Sequence, residues 1–352
     1  MSAPVQALLI ALVVFVSVLA SAGRSPAAPA IAPKEWALYK DKFLDPAGRI
    51  VDNANGGISH SEGQGYGLLL SYLAGNRGDF DRIWAFTRTE MMVRDDGLAA
   101  WKWDPAANPH ISDTNNASDG DLLIAYGLSL AGEAWHRPDL TQAAAGIATA
   151  LSSGSLETIG NLVLLKPGNS GFAASDRADG PVVNPSYWVF EALPAMAELA
   201  PNGPWNELAA NGRRLLVGSM KIGPSDLPPD WVSLKTVPAV ADGFPQEFSY
   251  NAVRIPLYLV RAGIQDRNLL APFAARMADE QGRVRIVDIA TGETRQLLAD
   301  SGYRIIPALV SCVLDRKPLA EDLRSFQPTD YYPSTLQLLA LAYARRHHPE
   351  CL

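Results

Sequence analysis

The chain has 352 residues, enough for one large domain or two ordinary ones, and its 48% hydrophobic and 19% charged residues are those of a folded globular protein. A net charge of −7 and a pI near 5.3 exclude a phosphate-binding surface, which needs an excess of Lys and Arg, so nucleic acid is not expected as a partner. No run of like charge marks a tail or a patch for anionic membranes.

From the N-terminus, Ala7 to Ala20 form an uncharged apolar run that ends in Ala20-Ser21-Ala22, the small-residue pattern of a cleavage site. The run has signal-peptide length and falls short of the roughly 20 residues of a spanning helix. No Lys or Arg precedes it, so the α-amino group is the only charge there. Residues 1–22 therefore read as a signal peptide cleaved near Ala22, with a retained anchor as the second reading, and the protein as exported, periplasmic or secreted. Ser25–Pro33, small and proline-rich, reads as part of a linker over 23–33, and the mature domain as 34–352.

Helical spacing dominates that domain. Apolar residues recur at i, i+3 and i+4 near 35–44, 61–76, 79–93, 118–136, 139–154, 186–200, 203–220, 251–263, 266–279, 302–314 and 332–347. Ser61 and Ser118 stand where N-caps would, and Gly or Pro separates the segments. Strand-like pieces, Asn161–Lys166 and Arg283–Val287, fall in the connections. Eleven or twelve helices joined by alternating short and long loops suit stacked helical hairpins. Six such pairs in a ring would make an all-α (α/α)6 barrel with short strands in its loops. Neither a repeat nor a composition shift divides the chain, so a single domain is expected.

Two clusters stand out for chemistry. His60-Ser61-Glu62-Gly63-Gln64-Gly65-Tyr66-Gly67 puts three glycines into a helix start, each costing about 1 kcal/mol against alanine. The glycines suggest close approach of another chain or of a ligand beside Glu62; a carboxylate that simply favours the helix dipole is the bland alternative. Asn115-Asn116-Ala117-Ser118-Asp119-Gly120-Asp121 is more polar than a helix cap requires, although Ser118 or Asp119 would serve as one. It is a poor calcium loop: Ser118 stands where the loop needs glycine and Ile124 where it needs a bidentate glutamate. His60, His110, His136, His347 and His348 show no ligand spacing, so neither a metal nor a cofactor is expected. Cys312 reads as a buried hydrophobe and Cys351 as part of a fraying end, and the sequence leaves a bridge between them open.

Five motifs taken together resemble glycoside hydrolase family 8: Ser-Glu-Gly-Gln-Gly-Tyr-Gly at 61–67, Ala-Ser-Asp-Gly-Asp-x-x-Ile-Ala at 117–125, Asn-Pro-Ser-Tyr at 184–187, Phe-Ser-Tyr-Asn-Ala-Val-Arg at 248–254 and Tyr-Tyr-Pro-Ser-Thr-Leu at 331–336. They run in the family's order across the mature chain. Their wording is most similar to exported endoglucanases associated with bacterial cellulose synthesis. The resemblance implies an (α/α)6 barrel that hydrolyses β-1,4 glycans with inversion. Glu62 matches the general acid, which must keep a proton at neutral pH through burial or a nearby carboxylate. Asp119 matches the aspartate that positions the sugar or the attacking water, and Asp121 is expected to support the helix start. Tyr187 and Arg254 match positions beside that water. Trp101 is the better-placed of two stacking platforms, Trp103 being the other. Tyr250, Asn251 and Tyr331 complete the expected substrate-binding set, and Tyr331 and Tyr332 would either stack sugars or close the barrel.

One position departs from the family pattern. Well-known members carry an aspartate as general base where this chain has Asn251, and an amide is at most a water-positioning group. An inverting pair needs a second carboxylate roughly 6.5–9.5 Å from the acid. Asp242 and Glu247 are the expected candidates, Asp230 is more remote, and Asp119 acting through water is a further option. The expected partners are a β-glucan and, left open, the cellulose synthase machinery, with the protein a monomer. A glucan-binding accessory protein without catalysis and the same fold acting on xylan or chitosan are the competing readings.

Overall fold

The computed structural model describes residues 29–352, so the expected signal peptide and most of the expected linker lie outside the described residues. The domain begins earlier than Lys34. Ala30 and Ile31 are buried, Ala30 N–H bonds the Leu73 carbonyl, and Pro33 opens the first helix, because these small apolar residues have core to pack against.

Twelve α-helices follow among the described residues: α1 (Pro33–Phe43), α2 (Ser61–Leu73), α3 (Arg77–Phe86), α4 (Ser118–Trp135), α5 (Pro138–Gly154), α6 (Leu193–Leu199), α7 (Trp205–Ser219), α8 (Ile255–Arg261), α9 (Arg267–Arg276), α10 (Ser301–Asp315), α11 (Glu321–Arg324) and α12 (Tyr331–His347). The even-numbered helices form an inner ring. Helices α2, α8 and α12 are buried on nearly every side, as expected of helices apolar all round. Helices α5 and α7 bury one face only and belong to the outer ring. This is the expected (α/α)6 barrel.

Ten short strands lie in the connections: β1 (Ser59–His60), β2 (Lys102–Trp103), β3 (Leu156–Ile159), β4 (Leu162–Leu165), β5 (Val182–Val183), β6 (Val232–Ser233), β7 (Ala239–Val240), β8 (Glu247–Phe248), β9 (Val284–Asp288) and β10 (Thr294–Leu298). Strands β4 and β9 are the two expected pieces. Antiparallel pairing gives β1–β2 and β3–β4 and the sheets β5-β6-β7 and β10-β9-β8.

Four local expectations change. Ser61 and Ser118 are the first helical residues rather than caps: the caps are His60 and Ala117, and Ser118 Oγ donates instead to the Lys166 carbonyl across the loop. The segment at 79–93 starts at Arg77 behind an Asn76 cap and widens into a π turn at Thr87–Met91. The 186–200 segment holds a 3-10 turn at Pro185–Tyr187 before the short α6. Finally, Cys351 is not frayed. It is fully buried and bonded to Cys312, with Cα atoms 5.8 Å apart, and its carbonyl accepts from Leu319 N–H.

The inner helices run parallel. A side chain at Gly120, near the start of α4, would meet Ser61 and Glu62 at the start of α2; one at Gly63 would meet Tyr331 at the start of α12; one at Gly302, in α10, would meet Pro333. Their N-termini therefore converge at one end of the barrel, and their dipoles favour carboxylates there. The glycines of 63–67 serve this convergence and not a ligand: a Cβ on Gly65 would stand 2.5 Å from Leu123 Cβ, and one on Gly67 would stand 2.6 Å from Ile50 Cγ1.

Candidate active site

Glu62 and Asp119 sit in the first turns of α2 and α4, side by side because Gly120 lets the two helix ends touch. Between them lies Arg254, at the end of a 3-10 turn (Ala252–Arg254) that leads into α8. One arm of its guanidinium donates to Glu62 Oε2 and the other to Asp119 Oδ2 at 2.6 Å. The side chains of Arg254 and Asp119 are 2% and 1% exposed, while Glu62 is 18% exposed, so the cluster opens to solvent on the Glu62 side. Burial raises the Asp119 carboxyl well above the usual range; Arg254 pulls it down, and the neighbouring Glu62 charge pushes it up again. Both carboxylates are thus held on the one buried guanidinium.

The site is supported from below by tyrosines. The Arg254 guanidinium carbon lies 5.6 Å from the Tyr187 ring centre and 5.8 Å from that of Tyr258, whose hydroxyl bonds Tyr66 of α2. Tyr187 is placed by Asn184, whose side chain accepts from the Ser186 backbone and hydroxyl and so closes the turn. Burial first, then the Asp119 charge, holds the Tyr187 phenol well above its usual range. It is therefore a hydrogen-bond donor and not a phenolate.

Asp121 is fully buried and does what the sequence suggested, though at a longer reach. It accepts from Ala99 N–H and from Asn116 Nδ2, each at 2.9 Å, and so ties the 99–116 loop to the start of α4. Burial pushes it up to about 7 against the pull of those two donors. The tied loop carries Trp101, whose carbonyl accepts from Ser61 N–H at 3.0 Å, beside Glu62. The partly exposed Trp101 indole is held by Asp113. Trp103 is also partly exposed, but its ring is flanked by Phe86, His110 and the Arg49 guanidinium, at 5.6, 4.2 and 4.9 Å between centres.

The other expected residues divide. Tyr250 is 43% exposed and free to meet a ligand. Tyr331 is 1% exposed, with its ring against Phe43 and His60, so it closes the barrel and offers no face to a sugar. Its neighbour Tyr332 is the partly exposed one, donating to the Tyr250 carbonyl at 2.8 Å and sensing Arg254 and Glu62. Neither expected base bonds to the cluster. Asp242 is exposed on a loop held by Asp179 and Arg177. Glu247 is on β8, where the alternation that buries Phe248 turns it to the other face, within reach of Arg295. Asp230, read as remote, is instead buried against Asn251.

Sequence reasoning also missed an aromatic file. Trp231 stacks on Phe244 at 4.3 Å and on Phe172 at 5.9 Å, and lies 6.1 Å from Tyr187. The only signal was Pro228-Pro229-Asp230-Trp231, a carboxylate and an indole on a stiff turn.

The sequence model of glycosyl hydrolases family 8 matches residues 2–346. The chain belongs to that family. Among its family 8 relatives, a probable endoglucanase of Novacetimonas hansenii is 37% identical over 332 residues, 92% of this chain and 94% of the relative. An endo-beta-1,4-glucanase from Acetobacter xylinum has a solved structure that superposes with a TM-score of 0.78 at 34% identity, covering 91% of this chain and 99% of that one. A family 8 endoglucanase from Klebsiella pneumoniae gives 0.79 at 33% identity, covering 89% and 99%.

The close approach of Glu62 and Asp119 predicts one mutational outcome. In Gly120→Ala the new methyl would lie 2.6 Å from Glu62 N, a backbone atom that cannot swing aside. Forcing the helix ends apart should cost about 1–3 kcal/mol in urea unfolding. Turnover should fall further than stability does, because the two carboxylates move apart; unchanged turnover in the folded variant would show that their spacing does not matter.

Proposed function

We propose that this family 8 chain hydrolyses internal β-1,4 bonds of a cellulose-like glucan with inversion, Glu62 delivering a proton to the leaving glycosidic oxygen. The observation that carries this is the Glu62–Arg254–Asp119 cluster: one buried cation, two carboxylates held on it, and only the Glu62 side open to solvent. The glucanase relatives supply the substrate class. Arg254 holds Glu62 in place, and Glu62 gives its proton to the leaving oxygen. Asp119 is buried on the same guanidinium as Glu62 and only 1% exposed, which leaves it little face for an attacking water. It is assigned to positioning the sugar ring. Trp101, Tyr250 and Tyr332 give partly exposed aromatic faces for neighbouring sugars.

The same reading places the protein outside the cytoplasm, in cellulose production or turnover at the cell surface. The apolar run ending at Ala22 supports export, and so does the Cys312–Cys351 disulfide, since such bonds persist in oxidising compartments.

Carboxymethylcellulose should lose viscosity faster than reducing ends accumulate, and proton NMR of a fresh cello-oligosaccharide digest should show the α-anomer first. A β-anomer at the outset would overturn inversion, and no reducing ends at all would favour the accessory-protein reading.

A further inference from the structure

Inversion requires a group that takes a proton from the attacking water, and Asn251 stands where such a group is wanted. Asn251 precedes Arg254 by three residues in a tight helical turn, so the two side chains share a face. Its amide is not isolated. Asp230 Oδ2 accepts from Asn251 Nδ2 at 3.2 Å and from its backbone N–H at 3.4 Å, and Oδ1 accepts from Ser249 and Ala252 N–H at 2.9 Å each. A carboxylate oxygen only accepts, so the amide must turn its NH2 to Asp230 and its Oδ1 away. Among the described residues no donor reaches that Oδ1, and it is not a buried orphan. Asp230 itself is 6% exposed and has no cation partner among the described residues. The titratable side chain facing it is Tyr187, which also senses Asp119, Glu62 and Arg254. Burial raises Asp230 above the usual carboxylate range, which suits it to hold a proton.

We propose that Asn251 and Asp230 together form the proton-accepting arm of the site: Asn251 Oδ1 holds the attacking water, and Asp230 takes up the proton's charge through the side-chain amide. This rests on the hydrolase reading above. In the step, the water oxygen bonds the anomeric carbon while the bond to the leaving oxygen breaks and that oxygen takes the Glu62 proton. The water's proton passes to Asn251 Oδ1, and a proton on Nδ2 passes to Asp230 Oδ2. Asn251 is left as its imidic acid and Asp230 as a neutral acid. After product release Asp230 returns its proton to Nδ2, the Oδ1 proton goes to solvent, and Glu62 is reprotonated from solvent. Asn251 touches the reacting water and is catalytic in this scheme; Asp230 acts through it and is a positioning residue.

The test uses the full mature chain, cellopentaose and a dinitrophenyl cellotrioside, whose leaving group needs no acid. Asp230→Asn and Asn251→Ala should each lose about 100-fold or more in kcat on both substrates, the size of a lost general base. Added azide should restore turnover on the aryl substrate and give an α-glycosyl azide. The double exchange Asp230→Asn with Asn251→Asp, which moves the carboxylate to the water side, should recover to within about 10-fold of wild type. Its acidic pH limb should move down, because the carboxylate is then better solvated. Asn251→Ala keeps the three backbone bonds to Asp230, so it is informative even where Asp230→Asn fails to fold. Retention of activity within about 3-fold in a folded Asn251→Ala or Asp230→Asn variant overturns the arm, as does an exchange variant no better than Asp230→Asn alone. Loss of the hydrolase reading would look different: the wild type itself would cleave neither substrate.

Discussion

Glu62→Gln should fold normally and yet release about 10²–10⁴-fold fewer reducing ends from carboxymethylcellulose per unit time, the size of a lost general acid. Glutamine has glutamate's shape, and its amide oxygen still accepts from Arg254, so the three-group cluster survives. What it lacks is a proton to release as the glycosidic oxygen departs. A dinitrophenyl leaving group needs no such proton, so hydrolysis of an aryl cellotrioside by this variant should stay within about 10-fold of wild type. Equal losses on both substrates would mean that Glu62 positions the sugar and does not protonate it.

Arg254→Met should have the largest effect on stability. Arg254 is a buried cation shared by two carboxylates, and its removal leaves them facing each other without a counter-charge. Breaking a buried ion pair from one side costs about 3–5 kcal/mol. The cost should depend on pH with a definite sign. In the variant, burial and the neighbouring Glu62 charge act without Arg254, so the folded pKa of Asp119 rises further above its unfolded value. Stability is then fully present below the unfolded carboxylate range and is lost as pH rises through the raised folded value. Urea unfolding should show a smaller penalty at pH 5 than at pH 8. Arg254→Lys should restore part of the stability and little of the turnover, because a single ammonium cannot span two carboxylates as the forked guanidinium does. A penalty that is flat with pH would show that Glu62 and Asp119 are not the groups being compensated.

Much of this molecule was legible before folding. The period of the apolar residues marks α2, α4 and α12 as helices, although not which of them line the inside of the barrel. Asp119 was legible as a first-turn carboxylate in a motif too polar for capping alone, and Glu62 as one set among three glycines. Weaker local signals misled. Ser61 and Ser118 have the right chemistry for N-caps, yet the chain enters each helix one residue earlier. Tyr331 and Tyr332 are identical as letters, and only the 100° step between neighbours on a helix sends one into the core and leaves the other at the cleft.

The sequence by itself determined the helical class, the family motifs and the absence of a carboxylate at position 251. Tertiary structure alone decided that Arg254 reaches Glu62 across 192 residues and Asp119 across 135, that Asp230 backs Asn251, and that Cys351 is bridged. The physical reason is one of range. Periodicity and turn chemistry act over a few residues and specify faces and ends. A carboxylate's protonation and reach depend on burial and on the charges around it, and those neighbours come from distant parts of the chain, brought together only when the inner helix ends converge.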